Sequence, residues 1–287
     1  MLAATAKLCP FPYATALRQE LILRNRVFAL KYDLLHQESY GEKPVICYRP
    51  NEENSAHGNF LPETYRAILN NDNWRRRLEK VHTQARASLP KCDRRWRELD
   101  SCNSSDALLM NIFCFPRALK NDHVSDLLGV ERGEKPWFGM RARVPLLGGK
   151  FDRTEVDMRL GYLLVEAKLT ESDFQTAPCA ALAAYRDFDE VFDTRRLPRV
   201  TDNYLSYQLI RNVLAAYANH CSFCVMADAR RPDLIEAWYG VMQAVHAVDL
   251  RLRCKMITWQ ELSRILPRKL RVFLHEKYGI GAGNPHD

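Results

Sequence analysis

The chain has 287 residues, 47% of them hydrophobic, so it can bury a substantial core in one large domain or in two small ones. No apolar run is long enough for a transmembrane helix, the N-terminus lacks a signal-peptide pattern, and nine cysteines show no framework spacing, which together predict a cytoplasmic protein. The net charge of +7 at pH 7 favours an anionic partner.

The first hundred residues are predicted to form a mainly helical N-terminal region, 1–100, that packs on a core of residues 101–287. Helical periodicity and chain breakers place its elements. In chain order these are a helix over 13–37, a loop-like segment over 40–60 with a short strand at 44–48, and a charged helix over 62–88 that Pro90 closes. Ser104 or Ser105 is the expected N-cap of the next helix, which runs to Ile112 or Phe113.

Alternating residues over 138–147 predict a strand that ends near a proline and a glycine pair. Arg141 and Arg143 are two positions apart and therefore share a face of this strand. We expect them beside the acidic face of the strands that follow. In that place they would suit a phosphate, and they would equally balance the nearby carboxylates.

Residues 151–170 predict one β-hairpin with two unlike faces. Gly161 suits the first central position of a two-residue type II′ turn, with Tyr162 second, so Asp157 should lie directly opposite Glu166. Because side chains alternate along a strand, one face should be wholly apolar. The predicted apolar face carries Val156, Met158, Leu160, Leu163, Val165, Ala167 and Leu169. The other face carries Glu155, Asp157, Arg159, Leu164, Glu166 and Lys168.

The polar face of this hairpin is a candidate metal site. Two carboxylates directly across a hairpin repel each other, and a cation between them reverses that cost. Asp157 and Glu166 therefore suit a hard divalent ion such as Mg²⁺, which takes one or two carboxylates and keeps several waters. Lys168 lies on the same face, close enough to touch a metal-bound water or a phosphate. The alternative from the charge pattern alone is a surface hairpin with a solvated Glu–Lys pair.

The rest of the chain alternates helices with strands. The predicted elements are helices over 177–191 and 204–218, a strand over 223–227, a helix over 232–247, a strand over 253–258, and a helix that begins at Trp259 behind a capping box of Thr258 and Glu261. Gln208 and Asn212 are four residues apart, so they project from one face of their helix. This order predicts an α/β fold with a mixed central β-sheet flanked by α-helices.

Basic clusters are spread along the chain. They lie at residues 75–77, 94–97, 195–196, 230–231, 251–255 and 268–271. Together they favour nucleic acid as the partner, because arginine and lysine bind phosphates without reading sequence. Each single cluster is better explained as a solvated helix face.

One cysteine pair has zinc-knuckle spacing. Cys221 and Cys224 are three positions apart, but the chain offers no second Cys/His pair at similar spacing to complete four ligands. Their neighbours predict a buried strand that carries two small apolar thiols.

Asp157, followed by Glu166-Ala167-Lys168, resembles the D…ExK signature of the PD-(D/E)XK nuclease superfamily, and this is the only Asp/Glu-x-Lys triplet in the chain. The helix with Gln208 resembles the helix after the core strands, where several branches place a functional Gln. Residues 103–113 resemble the helix that precedes the motif strands in bacterial restriction-endonuclease-like members. The motifs cover roughly residues 101–217, and the resemblance implies a restriction-endonuclease-like fold.

The resemblance also implies metal-assisted hydrolysis of phosphodiester bonds. Asp157, Glu166 and the backbone carbonyl of Ala167 would hold Mg²⁺ or Mn²⁺, which makes hydroxide available near neutral pH. Lys168 would orient the water or stabilise charge in the transition state, and Gln208 would position the lysine, the water or the phosphate. Many members add an upstream acidic residue. Four candidates remain open for it: Glu98, Asp106, Glu131 and Glu155.

Three functions are compatible with these patterns. The first is an active metal-dependent endonuclease that acts on DNA in restriction or defence. The second is a catalytically inactive nuclease-fold protein that binds nucleic acid, and the third is a structural protein whose acidic face is only solvated. The complete triad favours the first. The choice between DNA and RNA, the sequence preference and the oligomeric state, a homodimer included, stay open.

Overall fold

The computed structural model describes residues 12–40, 43–82 and 93–281. A central five-stranded mixed sheet flanked by helices forms an α/β fold, which confirms the predicted fold class. The strands are β1 (His36–Glu38), β2 (Ile46–Tyr48), β3 (Trp137–Arg141), β4 (Val144–Pro145), β5 (Phe151–Asp152), β6 (Glu155–Leu160), β7 (Leu163–Ala167), β8 (Thr176–Pro178), β9 (Arg199–Val200), β10 (Asn203–Leu205), β11 (Ser222–Ala227) and β12 (Cys254–Thr258).

The helices surround this sheet and connect its strands. They are α1 (Pro12–Lys31), α2 (Pro62–Leu69), α3 (Asp72–Arg75), α4 (Ser105–Phe113), α5 (Asp122–Leu128), α6 (Cys179–Ala183), α7 (Phe188–Val191), α8 (Tyr207–Ala218), α9 (Pro232–Met242), α10 (Val248–Leu252), α11 (Trp259–Arg264) and α12 (Arg268–Tyr278). Over the described part of the chain, none of them has the length and apolarity needed to cross a membrane.

The central sheet has the spatial order β12-β11-β7-β6-β3. Strands β12, β11 and β7 run parallel, whereas β7, β6 and β3 are antiparallel neighbours. The hairpin predicted from sequence is β6 and β7, so it occupies the middle of the sheet. A central position buries strands on both faces, and every residue of β7 is buried.

The predicted turn and register of this hairpin are confirmed over the paired residues. Gly161 has a φ of +56°, as the first central position of the turn requires. Leu160 pairs with Leu163, and Met158 pairs with Val165. The ladder ends there, one position before Asp157 and Glu166.

The predicted faces hold for only part of β6. Met158 and Leu160 belong to one hydrophobic cluster, but Val156 packs in the other cluster, so the single apolar face predicted from sequence is wrong at this end. The change coincides with Gly139 of β3, which lies opposite Asp157 and has a φ of +66°. A left-handed residue interrupts the alternation of a strand, and sequence alternation alone could not reveal it.

Two hydrophobic clusters cover the two faces of the sheet. The first packs Val165 and Met226 against side chains from α1, α2, α4, α11 and α12. The second packs Leu164 and Val225 against side chains from α8 and α9. Residues of the first hundred positions, such as Leu21, share the first cluster with the sheet. The division of the chain near residue 100 stays a prediction.

The long charged helix predicted over 62–88 is wrong. The segment forms α2, α3 and a 3₁₀ turn at Arg76–Glu79. Asn71 starts α3, because its side chain accepts hydrogen bonds from the backbone N–H groups of Asn73 and Trp74. Residues 83–92, with the predicted stop at Pro90, lie outside the described residues.

Four other predicted helices are shorter than expected. The helix predicted over 13–37 ends at Lys31, before β1, and the helix predicted over 232–247 ends at Met242. The segment 177–191 splits into α6 and α7. The helix predicted from Tyr204 begins at Tyr207, because residues 203–205 form β10 and pair with β8. Ser206 between them has a φ of +60°, which no continuous helix allows.

Local capping and strand predictions succeeded. The Ser104 hydroxyl accepts a hydrogen bond from the N–H of Ala107 at the start of α4. Thr258 and Glu261 form the capping box of α11. Cys224 lies in β11 and is fully buried, as the strand interpretation predicted.

Candidate active site

The candidate site lies where β6 and β7 separate. Beyond the last pair of the ladder, Asp157 Oδ2 accepts a hydrogen bond of 2.8 Å from the N–H of Ala167. At the gap between the strands, the Asp157 carboxylate thus takes the place of a backbone carbonyl as the acceptor for the Ala167 N–H. Within the described residues no hydrogen bond reaches Oδ1, the second oxygen of this carboxylate.

Glu166 is buried beneath helix α8, with 3% of its surface exposed. Its Oε1 lies 2.8 Å from Lys168 Nζ, and its Oε2 accepts a hydrogen bond of 2.8 Å from Asn212 Nδ2. A buried carboxylate is tolerated only when it is paired and hydrogen-bonded. The solvated Glu–Lys pair of a surface hairpin is therefore not what the fold contains.

Lys168 is held from three sides and is 5% exposed. Its ammonium donates to Gln208 Oε1 at 2.8 Å, and its backbone carbonyl accepts from Trp259 Nε1 at 2.9 Å. Burial alone would lower the pKa of Lys168, but the carboxylates of Glu166, Glu171 and Asp157 outweigh burial and raise it. Lys168 is therefore a cation, and with two of its three N–H donors engaged it has one left for a ligand.

Helix α8 supplies both amide side chains of the site. Gln208 and Asn212 share one face, as their spacing predicted, and reach Lys168 and Glu166 respectively. Sequence reasoning gave a role to Gln208 but none to Asn212. Asn212 is fully buried, and its Oδ1 has no partner within the described residues. The i, i+4 spacing to Gln208 was the signal that could have identified it.

Among the upstream acidic candidates, Asp106 interacts electrostatically with Asp157. It sits in the first turn of α4, and its charge is one of the causes that raise the pKa of Asp157. Arg77 Nη2 and Lys80 Nζ both lie 2.7 Å from Asp106 Oδ2. Burial would raise the pKa of Asp106, but these two cations lower it.

The other candidates flank this group or lie apart from it. Glu155 binds Arg77 Nη1 at 2.8 Å, and Glu98 lies 3.2 Å from Lys80 Nζ. Glu131 is exposed and makes no hydrogen bond or ion pair with the group in the described structure. The sequence placed Arg77 in a basic cluster only, because nothing local shows that the fold carries it to the carboxylates.

Two carboxylates of this region have raised pKa values, in contrast to Asp106. Burial, with the charges of Glu166 and Asp106, raises the pKa of Asp157 well above its usual range. Burial and Asp106 also raise the pKa of Glu98 to about 7. Like charges close together in a poorly hydrated place disfavour ionisation of each other. Burial and neighbouring carboxylates therefore disfavour the ionised forms of Asp157 and Glu98.

The carboxylates of Asp157 and Glu166 fit a divalent metal only if the ion also keeps other ligands, such as water. Within the described ranges, no group of three His, Cys, Asp or Glu side chains forms a metal site by itself. Mg²⁺, however, is usually held by one or two carboxylates together with waters and substrate phosphates. Asp157 has an oxygen to offer, and Glu166 lies within its electrostatic reach. The pair suits Mg²⁺ or Mn²⁺ with an open shell rather than a closed cage.

Comparison with known proteins identifies the family. Residues 34–279 match the family described as "Restriction Endonuclease associating with ARP". The match covers most of the chain, so the chain belongs to this family and is restriction-endonuclease-like. No curated protein and no solved structure matches the chain.

Proposed function

We propose that this chain is a metal-dependent nuclease of the PD-(D/E)XK type, which hydrolyses phosphodiester bonds in DNA and serves in restriction or defence. The observation that carries the proposal is the group of Asp157, Glu166 and Lys168 at one gap in the sheet, with Asp106 beside it. Family membership supports nuclease activity as the class.

Asp157, Glu166 and the carbonyl of Ala167 would hold Mg²⁺ or Mn²⁺. When bound, such an ion polarises the phosphate and lowers the pKa of a water, so that hydroxide is available near neutral pH. Burial raises the pKa of Asp157, and so do the charges of Glu166 and Asp106; a bound cation would offset this local excess of negative charge.

Lys168 acts as a fixed positive charge, because its pKa is raised and its ammonium keeps its protons. It therefore cannot serve as a general base near neutral pH. Its remaining N–H donor can orient the attacking water or stabilise charge that develops on the phosphate. Gln208 fixes the direction of that ammonium through the 2.8 Å hydrogen bond.

A protein that binds nucleic acid without cutting it is the second candidate. One observation favours it: both oxygens of Glu166 are already engaged, by Lys168 and Asn212. Metal binding would then require Glu166 to share or exchange one of these partners.

Plasmid cleavage with Mg²⁺ or Mn²⁺ tests the choice. The Asp157→Asn variant keeps an acceptor for the Ala167 N–H but loses the charge, so we expect cleavage to fall at least about a hundredfold, since metal charge stabilisation amounts to several kcal/mol. Asp193→Asn is the matched control, because Asp193 pairs with Arg195 away from the site. Absence of cleavage by the wild type under both metals would favour the binding protein. Equal cleavage by the wild type and Asp157→Asn would show that the site is assigned wrongly.

A further inference from the structure

Strands β3 and β6 form one antiparallel pair and strands β4 and β5 a second one, which continues the first as a ribbon beyond unpaired residues 142–143 and 153–154. Arg141 pairs with Glu155, and Pro145 pairs with Phe151 in the same register. The backbone N–H of Leu146 donates to the carbonyl of Lys150 at 2.8 Å, which closes the tip. Residues 137–141 and 155–159 lie in the central sheet, whereas residues 142–154 continue beyond it. We call residues 141–154 the basic arm.

One face of the basic arm is fixed to the fold. Ala142 and Val144 are buried in the second hydrophobic cluster. Asp152 Oδ2 accepts a hydrogen bond of 2.7 Å from the Tyr185 hydroxyl, and the carbonyl of Pro145 accepts one of 3.1 Å from the N–H of Arg186. The arm therefore holds its other face in a defined position.

The opposite face of the basic arm is exposed and cationic. Arg141, Arg143 and Arg153 project from it, and Lys150 is exposed at the tip. In the described structure none of the four makes an ion pair. Glu155, the cross-strand neighbour of Arg141, is bound by Arg77 instead at 2.8 Å.

The arm also places two like charges together. The register shared by the two flanking strand pairs places Arg143 opposite Arg153, one position from the Val144–Asp152 pair. Like charges at such positions are destabilising. Apart from the ring of Phe151, 4.3 Å from the guanidinium of Arg143, nothing in the described structure offsets this pair. An anion between the two side chains would remove the cost.

Several other basic clusters are neutralised locally. Four of their arginines bind an aspartate two positions away: Arg95 with Asp93, Arg195 with Asp193, Arg230 with Asp228, and Arg231 with Asp233. The fold leaves the arm as a cluster whose charges are available, and Arg153 precedes the strand of Asp157 by two residues.

We infer that the basic arm binds the phosphate backbone of duplex DNA and brings it to the carboxylates, an inference that rests on the proposed function. Carboxylates repel phosphates, so a cationic surface beside them is needed for binding. Arg153 is four residues before Asp157 in the chain, about 13 Å along an extended backbone. Arginine binds phosphate in bidentate fashion. A two-stranded ribbon fits the major groove of B-form DNA, whereas that of A-form RNA is too narrow.

Salt-dependent binding of a short DNA duplex, followed by fluorescence anisotropy in EDTA, tests the inference. For the double variant Arg143→Ala/Arg153→Ala we expect weaker binding and a salt slope reduced by about 1.8, because each lost phosphate contact removes about 0.9. The matched control is Arg251→Ala/Arg264→Ala. These arginines are also exposed and without an ion pair in the described structure, and they flank β12 at the other edge of the sheet.

A third variant, Arg143→Lys/Arg153→Lys, keeps the charge and should restore most of the salt slope if the arm contacts phosphates. An unchanged salt slope in Arg143→Ala/Arg153→Ala, as well as in the lysine variant, would overturn the inference. This holds even if the wild type cuts plasmid and the proposed function stands. An equal, arm-dependent slope with duplex RNA would overturn the assignment to DNA. A slope that depends on the arm in a protein that never cuts DNA would support the arm and refute the nuclease.

Discussion

The ribbon over residues 137–159 has a cluster of carboxylates at its sheet end and a cluster of arginines on the basic arm, and the two clusters lie in different environments. At the sheet end, half-buried Asp157 lies near the buried carboxylates of Glu166 and Asp106, and Arg77 and Lys80 neutralise part of the charge. On the basic arm, the arginines face solvent without a carboxylate partner in the described structure. Residues in one strand register thus lie in two contrasting environments, one enclosed by the protein and one facing solvent.

This difference shows that a buried charged group needs neutralising partners, whereas an exposed one does not. A charge removed from water needs partners in fixed positions, so the acidic end depends on residues from α8 and from the 3₁₀ turn at Arg76–Glu79. A charge in water is stabilised by the solvent and stays free for a ligand. We therefore expect substitutions at the acidic end to change stability strongly, and substitutions on the arm to change mainly binding.

The largest expected change in stability comes from substituting Arg77. Arg77→Met removes the cation that binds both Asp106 and Glu155, so we expect the free energy of unfolding to fall by about 3 kcal/mol, since breaking a buried pair leaves a charge uncompensated. Urea denaturation measures this. Arg195→Met is the control, because its pair with Asp193 is exposed and solvent screening leaves such a pair little effect on stability. An equal loss in the two variants would show that the acidic end needs no special neutralisation.

A smaller effect of opposite sign is expected at Asp157. Its folded pKa is raised, so the stability it contributes is present below pH 3.8 and is lost as the pH rises through the folded value. Asp157→Asn should therefore stabilise the metal-free protein at pH 8 by about 1 kcal/mol. The pKa of Glu98, raised to about 7, adds a loss in the same direction between pH 4.5 and 7.

Thermal unfolding in EDTA, at several pH values, measures the effect at Asp157. Asp193→Asn should act in the opposite direction, because the hydrogen bond from Arg195 lowers the pKa of Asp193. Mn²⁺ should raise the melting temperature of the wild type and not that of Asp157→Asn, since only a ligand bound to the folded state stabilises it. A destabilised Asp157→Asn protein at pH 8 would contradict the charge excess proposed for the site.

The smallest effect is expected on the basic arm. Arg143→Ala removes a contact with Phe151 but also the repulsion from Arg153, so the free energy of unfolding should change by less than about 0.5 kcal/mol. The urea measurement used for Arg77 applies here too. A loss above about 2 kcal/mol would show that the arm depends on Arg143 for its structure, and the contrast between the two ends would fail.

Much of the fold followed from local patterns. The glycine turn set the register of β6 and β7, and the capping residues set the starts of α4 and α11. These features depend on neighbours within a few residues. The predicted helix over 62–88 failed because helical periodicity continued across Asn70 and Asn71, where the chain caps one helix and starts another.

The site was predictable in part. The spacing of Gln208 and Asn212 placed both on one face of α8, where they meet Lys168 and Glu166. The electrostatic interaction of Asp106 with Asp157 was beyond sequence reasoning, because it depends on how α4 packs beside the sheet. The roles proposed for these residues stay predictions.

By itself, the sequence determined the hairpin register, the type of fold and the presence of a carboxylate pair with a lysine, because turns and strand alternation act over short distances. Only the tertiary structure decided which charges are buried and which are free. Ion pairing depends on residues distant in the chain, as when Arg77 binds Glu155 and so leaves Arg141 without a carboxylate partner in the described structure.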